Sequence, residues 1–176
     1  MKKINIPVFC DVVIFDPLGR IILIADGVMK YGDPDPNIWC NWKIPRYVLP
    51  GKGLPAKNIK ENITAETGIV VKPMSPVPVG IYTTHYFDEP NKSNGLHLVY
   101  LAEFAEHDVR PNQKYSTGFT VEQVLDLQLK NKIVDSDITV RIIMDAVSNM
   151  LQGNQFQFGS VEIPPPFIEG ECKVIE

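Results

Sequence analysis

The sequence predicts one domain of mixed α/β (α+β) class, an α/β/α sandwich with helices on both faces of a curved mixed sheet. The chain has 176 residues, of which 44% are apolar, which suffices for one substantial core and is short for two ordinary domains. Strand-like runs come first, a helix flanked by glycine follows, and further strands precede two closing helices. We therefore assign residues 1–153 to a single domain and residues 154–176 to a Pro-rich, extended C-terminal tail.

The N-terminal part predicts a β-hairpin followed by a long loop. The runs FCDVVIF and IILIA are rich in β-branched residues, and DPLGR separates them at Asp16 to Arg20. Asp first, Pro second and Gly fourth are typical of a type I turn. From Asp26 to Leu49 the chain is rich in proline and carries both tryptophans. We expect this segment to lack regular structure and to cap a site or form an interface.

A short helix and its glycine stop come next. Ile59 and Ile63 repeat at helical spacing, and Gly68 follows them where a left-handed C-cap belongs, so we predict a helix from Pro55 to Thr67. The remaining patterns predict strands over 69–71, 77–84 and 96–104, and helices over 119–129 and 138–151.

Charge and composition restrict the possible partners. The 21 acidic and 17 basic residues give a net charge of -4, and the basic residues are scattered, which argues against nucleic-acid binding. The longest apolar runs are too short to cross a bilayer, and no secretory signal is visible. We expect a cytoplasmic protein that binds neither nucleic acid nor membrane. The tail either packs on the body or reaches a partner subunit, so a homodimer is one open alternative.

Several local motifs match a known family. The DPLGR turn precedes a tryptophan-containing segment that runs into Leu49-Pro50-Gly51-Lys52, and a helix then ends at Gly68-Ile69. In this order of parts, from about Pro7 to Leu151, the chain resembles the Nudix superfamily of nucleoside diphosphate-linked pyrophosphatases. The resemblance implies the α/β/α fold, a nucleotide-like substrate and Mg²⁺ or Mn²⁺ as cofactor.

The family's metal-binding motif, the Nudix box, is degenerate in this sequence. Alignment from Gly68 places Glu66 at the second Glu of its Glu-Glu pair, Ala65 at the first, Asn62 at the Glu of Arg-Glu and Glu61 at the Arg. The box is also about four positions shorter than the family's. Most of the carboxylates that would hold a divalent cation are therefore missing.

The remaining oxygen ligands define the candidate metal and catalytic residues. Glu66 and Asn62 lie about one helical turn apart and are the candidate metal ligands. Glu66 is the candidate catalytic residue, and Glu61 would join it only if a helix bulge inserted one residue. Acids outside the box are candidates to replace the missing ligands: Asp88, Glu89, Glu103, Glu106 and Asp108.

Aromatic and basic residues near the box are candidates for substrate binding. Trp39, Trp42 and Tyr47 are placed to stack on a nucleobase, or alternatively to fill the core or an interface. Lys52 is a candidate phosphate contact. His97 alternates with apolar residues, which favours a structural or substrate-edge role over metal ligation.

Two functional hypotheses follow. The first is a metal-dependent hydrolase of nucleoside diphosphate-linked substrates whose catalysis is weakened or lost. The second is a non-catalytic nucleotide-binding or protein-interaction module built on the same fold. Fold alone does not separate them, because activity depends on the site.

Overall fold

The computed structural model describes residues 6–26, 40–49, 55–75, 77–86, 95–107, 113–152 and 157–163. In these ranges it contains three helices: α1 (Pro55–Thr67), α2 (Val121–Leu129) and α3 (Ser136–Gln152). The strands are β1 (Val8–Phe15), β2 (Ile21–Asp26), β3 (Asn41–Lys43), β4 (Arg46–Val48), β5 (Ile69–Pro73), β6 (Gly80–Tyr86), β7 (Gly95–His107), β8 (Ser116–Phe119) and β9 (Gln157–Ile163). None of the described helices is long and apolar enough to cross a membrane.

The strands form one mixed sheet with β1 near its centre. Its main order is β3-β2-β1-β7-β6-β9, while β4 pairs with β1, β5 with β7 and β8 with β2. β1 runs parallel to β7 and β6 runs parallel to β9, whereas the other pairs are antiparallel. The predicted mixed sheet is confirmed.

One face of the sheet packs against α1. Alternate β1 residues share a face of the pleat, and Cys10, Val12 and Ile14 all lie buried in one cluster with Ile59 and Ile63 of α1. The apolar stripe that predicted α1 is therefore the stripe that docks the helix on the sheet.

The opposite face packs against α2 and α3. Val13 and Phe15 of β1 belong to a second buried cluster, with side chains from both closing helices. The helical members of this cluster include Val124, Leu127, Ile138, Ile142, Ile143 and Ala146. Helices thus cover both faces of the sheet, which confirms the predicted α/β/α sandwich.

Two glycines take the conformations that the sequence predicted for them. Gly19 has φ +74° and donates its amide to the Asp16 carbonyl at 2.9 Å, closing the β1–β2 hairpin. Gly68 has φ +73° and donates to the Thr64 carbonyl at 2.9 Å, ending α1 as a left-handed C-cap. The hairpin and the end of α1 are confirmed.

The expectation of a structureless segment from Asp26 to Leu49 is wrong for its described part. β3 and β4 lie within it, and Trp42 of β3 is fully buried. The Trp42 amide donates to the Lys132 carbonyl at 2.7 Å, and its carbonyl accepts from Val134 at 2.8 Å. Strands of three residues are too short for an alternating pattern to reveal, so long-range pairing defines them. Residues 27–39 lie outside the described residues.

The first part of the predicted tail also belongs to the sheet. Gln157–Ile163 forms β9, which pairs along the whole of β6. The triple proline at 164–166 lies outside the described residues.

Replacing Ile63 by alanine tests the packing of α1. The Ile63 side chain is fully buried between α1 and the sheet, so Ile63→Ala should lower the free energy of unfolding by about 2 to 5 kcal/mol. Urea denaturation measures this change. Glu61→Ala, at an exposed position on the same helix, should change it by less than about 0.5 kcal/mol. Equal effects would show that α1 is not packed on the sheet as described.

Candidate functional site

The end of α1 places the Glu66 carboxylate against a lysine and a tyrosine. The Tyr47 hydroxyl of β4 donates to Glu66 Oε2 at 2.9 Å, and Lys114 Nζ lies 2.6 Å from Glu66 Oε1. The Lys114 amide also donates to the Glu66 carbonyl at 2.9 Å. Both carboxylate oxygens of the candidate metal ligand are therefore already engaged.

The pKa directions in this cluster follow from burial and from the shared carboxylate. Burial raises the pKa of Tyr47, and the Glu66 charge and hydrogen bond raise it further, so the phenol keeps its proton. Burial lowers the pKa of Lys114, but its hydrogen bond and ion pair with Glu66, together with the contact with Lys43 and the charge of Asp26, outweigh this, so its pKa lies above the ordinary value. Lys114 is thus a resident cation that balances the Glu66 charge.

The described residues do not fit a Mg²⁺ or Mn²⁺ site at α1. The helix is regular along its described length, so the bulge that would bring Glu61 beside Glu66 is absent there. The side chains of Glu61 and Asn62 are exposed to solvent. In the described part of the chain, no three His, Cys, Asp or Glu side chains gather closely enough to hold a metal ion. Among the alternative acids, Glu103 and Glu106 are exposed on β7. The other three, Asp88, Glu89 and Asp108, lie outside the described residues.

The predicted aromatic contacts separate into two environments. Trp42 lies in the core with its ring 4.8 Å from Phe119 in an edge-to-face contact, so its faces are not open to a nucleobase. Its burial favours the core alternative stated from the sequence. Tyr47 is the predicted substrate contact that the structure brings to Glu66. Trp39 and Lys52 lie outside the described residues.

A buried charge network on β1 was not foreseen from the sequence. Asp11 is fully buried, and its two carboxylate oxygens accept from Arg46 Nε and His97 Nδ1, the latter at 2.7 Å. An ionised carboxylate without a cation would be costly at this depth. Arg46 therefore compensates the charge of Asp11.

The same network continues through His97 to β6. His97 Nε2 lies 3.3 Å from Thr84 Oγ1, which also accepts from the Gly95 amide at 3.1 Å. Because the Asp11 carboxylate only accepts, Nδ1 carries the ring proton that faces it. Asp, His and Thr in this order resemble a nucleophilic triad, but all three side chains are buried. The array joins β1, β7 and β6, and its burial separates it from solvent.

Arg46 also borders a cavity of about 220 Å³. Its Nη1 lies 2.7 Å from Asp135 Oδ2, and its guanidinium carbon lies 5.9 Å from the centre of the Phe9 ring. Lys43 and Asp26, 3.3 Å apart, line the same cavity. The cavity therefore presents paired hydrogen-bond donors and acceptors beside an aromatic wall.

The alternation of β4 separates this cavity from Glu66. Successive residues of a strand point to opposite faces of a sheet. Tyr47 contacts Glu66 on the α1 face, whereas Arg46 contacts Asp11 and Asp135 on the α3 face. The Tyr47–Glu66 contact and the Arg46–Asp11 contact thus lie on opposite faces of β4, while Lys114 also lies near Lys43 and Asp26 of the cavity.

Comparisons with known proteins identify the fold. No protein-family model and no curated protein matches the sequence. Among solved structures, a NUDIX hydrolase from Nitrosomonas europaea matches with a TM-score of 0.63 and 12% identity, covering 91% of this chain and 81% of that one. A UDP-X diphosphatase matches with a TM-score of 0.62 and 17% identity, covering 90% of this chain and 69% of that one. An ADP-ribose pyrophosphatase from Streptococcus suis 89-1591 matches with a TM-score of 0.59 and 12% identity, covering 88% of this chain and 99% of that one. The chain has the Nudix fold, so the resemblance is confirmed at that level.

Removing the cation of the buried network tests its role. Arg46→Gln leaves the Asp11 charge buried without its guanidinium, so the free energy of unfolding should fall by about 3 to 5 kcal/mol. Chemical denaturation measures the change. Lys130→Gln breaks an exposed pair with Asp126 and should cost less than about 1 kcal/mol. Similar losses in both variants would contradict the compensating role of Arg46.

Proposed function

We propose that this Nudix-fold chain binds a nucleotide-like small molecule and has lost ordinary metal-dependent hydrolysis at its Nudix helix. The observation that carries the proposal is the engagement of Glu66 by Lys114 and Tyr47. Each oxygen of this carboxylate already has a donor, and the ammonium group already balances its charge.

Electrostatics explains why a metal would not simply join this cluster. Two unit positive charges 4 Å apart repel by about 4 kcal/mol at an effective dielectric constant of 20, and a divalent ion doubles that repulsion. Lys114 would have to leave the carboxylate first, although residues 113 and 114 are also bonded to the backbone of α1. The neighbouring ligand position offers the neutral amide of Asn62, which adds no negative charge. Hydrolysis that depends on a divalent cation at Glu66 is therefore disfavoured.

The cavity beside Arg46 is where we place the ligand. The UDP-X diphosphatase and the ADP-ribose pyrophosphatase that this fold matches are named for nucleotide-linked compounds. Arg46 and Lys43 are each paired with a carboxylate, and Phe9 adds an aromatic surface. Paired donors and acceptors with an aromatic wall suit the edge and face of a nucleobase.

The competing function is a hydrolase that recruits acids from outside the box. Its support is the retained Glu66 one turn after Asn62 on a helix of the correct fold. In that case Lys114 would exchange with the metal when substrate binds. An assay of metal-dependent turnover separates the two functions.

The proposed loss of hydrolysis is tested by measuring turnover. Wild type and Glu66→Gln should release no more phosphate or nucleotide than a protein-free blank, with Mg²⁺ or Mn²⁺, from ADP-ribose, UDP-sugars, dinucleoside polyphosphates and nucleoside triphosphates. The physical reason is the Lys114 ammonium at the metal position. Chromatography of the reaction products measures release, and an active Nudix hydrolase under the same conditions verifies the assay. Metal-dependent turnover by wild type that disappears in Glu66→Gln would establish a hydrolase instead.

The second prediction concerns binding. UDP, ADP or ADP-ribose should bind in the presence of EDTA, and Lys43→Gln should weaken that binding about five-fold or more because a charge-assisted donor is lost. Isothermal titration calorimetry measures the affinity. Lys130→Gln, which removes an equivalent but exposed lysine pair on α2, should leave it unchanged. Binding abolished by EDTA, or weakened equally by both variants, would overturn the assignment of this cavity.

A further inference from the structure

A second cavity of about 300 Å³ lies beyond the end of α1. α1 packs on the centre of one sheet face and ends at Thr67, so α1 does not cover the neighbouring part of that face. Ile22, Ile69 and Phe104 form an apolar part of the wall, and Ile22 and Ile69 are almost fully buried. This cavity shares no lining residue with the cavity beside Arg46.

A glycine keeps this cavity open. Gly118 of β8 pairs directly with Ile22 of β2, where a side chain would otherwise stand next to the wall. A Cβ at Gly118 would lie 3.1 Å from both Arg20 Nε and Asp16 Oδ2, tighter than ordinary contacts. The absence of a side chain at this position lets the Arg20–Asp16 pair lie close over the sheet.

The Arg20 guanidinium is held in a defined position at the wall. Asp16 Oδ1 accepts the amides of Leu18 and Arg20, each at 2.9 Å, and Oδ2 accepts from Arg20 Nε at 2.7 Å. Burial raises the pKa of Asp16, but these hydrogen bonds lower it more, so the carboxylate stays charged and fixes the arginine. No further side-chain partner of Arg20 is found among the described residues, which leaves its terminal N–H groups available. Arginine presents these donors in a planar fork that matches an acidic group.

The geometry points to a second ligand site that takes a small amphipathic acid, with an apolar ring or chain against Ile22, Ile69 and Phe104 and one carboxylate or similar group on Arg20. The apolar wall supplies burial, and the fixed guanidinium supplies orientation. This site is independent of the proposed nucleotide site and needs no metal.

A matched pair of probes tests the site. Titrations of the full chain with 1-naphthoate and its neutral analogue 1-naphthamide, in EDTA, are followed by ¹⁵N–¹H correlation spectra. Both probes should shift the amide signals of Ile22, Ile69 and Gly118 in a saturable way, and naphthoate should bind at least five-fold more tightly. Arg20→Gln should remove that preference while weak binding of the naphthamide persists. Arg141→Gln breaks an equivalent Nε–carboxylate pair on α3, at 2.8 Å from Asp145, and should change nothing.

A second variant tests the shape of the cavity separately from the charge of Arg20. Gly118→Ala should weaken both probes several-fold because the added methyl group displaces Arg20 and narrows the cavity. Circular dichroism and the melting temperature verify that each variant folds. Shifts that do not saturate, equal affinity for the two probes, or identical losses in Arg20→Gln and Arg141→Gln would overturn the proposal. The probe titrations do not depend on nucleotide binding in the cavity beside Arg46. Failure of one proposal would therefore not decide the other.

Discussion

The buried pair of Asp11 and Arg46 is the interaction on which the cavity beside Arg46 and the Tyr47–Glu66 contact both depend. Asp11 is fully buried on the central strand, so its charge requires a cation from a neighbouring element. Arg46 supplies it and thereby fixes the face that β4 presents to α3. Because side chains alternate along a strand, Tyr47 must then face α1, where it meets Glu66. One ion pair thus directs Arg46 to the cavity on one face of β4 and Tyr47 to Glu66 on the other.

The packing of α1 and its polar contacts involve different residues. The helix lies in the sandwich, ends at its glycine stop and presents Glu66, whose charge the Lys114 ammonium balances. Packing of α1 depends on Ile59 and Ile63, which point into the core, and not on the polar positions. Similarity of fold therefore does not establish hydrolysis, which depends on the polar positions.

Local patterns predicted what local forces determine. The DPLGR turn and the Ile59, Ile63 and Gly68 spacing gave the hairpin and α1, because a turn or helix is specified by a few adjacent residues. The pairs that define the candidate site join distant parts of the chain: Arg46 and Asp11 are 35 positions apart, and Lys114 and Glu66 are 48. A local signal that was not used is Asp11, an acidic residue inside the apolar run FCDVVIF. An acid at a buried strand position requires a partner, but the sequence does not identify that partner.

The segment that carries Lys114 also holds the end of α1. Gln113 Nε2 donates to the Thr64 carbonyl at 3.2 Å, and the Lys114 amide donates to the Glu66 carbonyl. The Lys114 amide satisfies a carbonyl in the last turn of the helix, which has no later turn to pair with, whereas the Thr64 carbonyl also accepts from Gly68. An ion pair that is partly exposed contributes little alone, but here it acts together with two bonds from the same short segment. The segment that supplies Lys114 therefore also caps the end of α1.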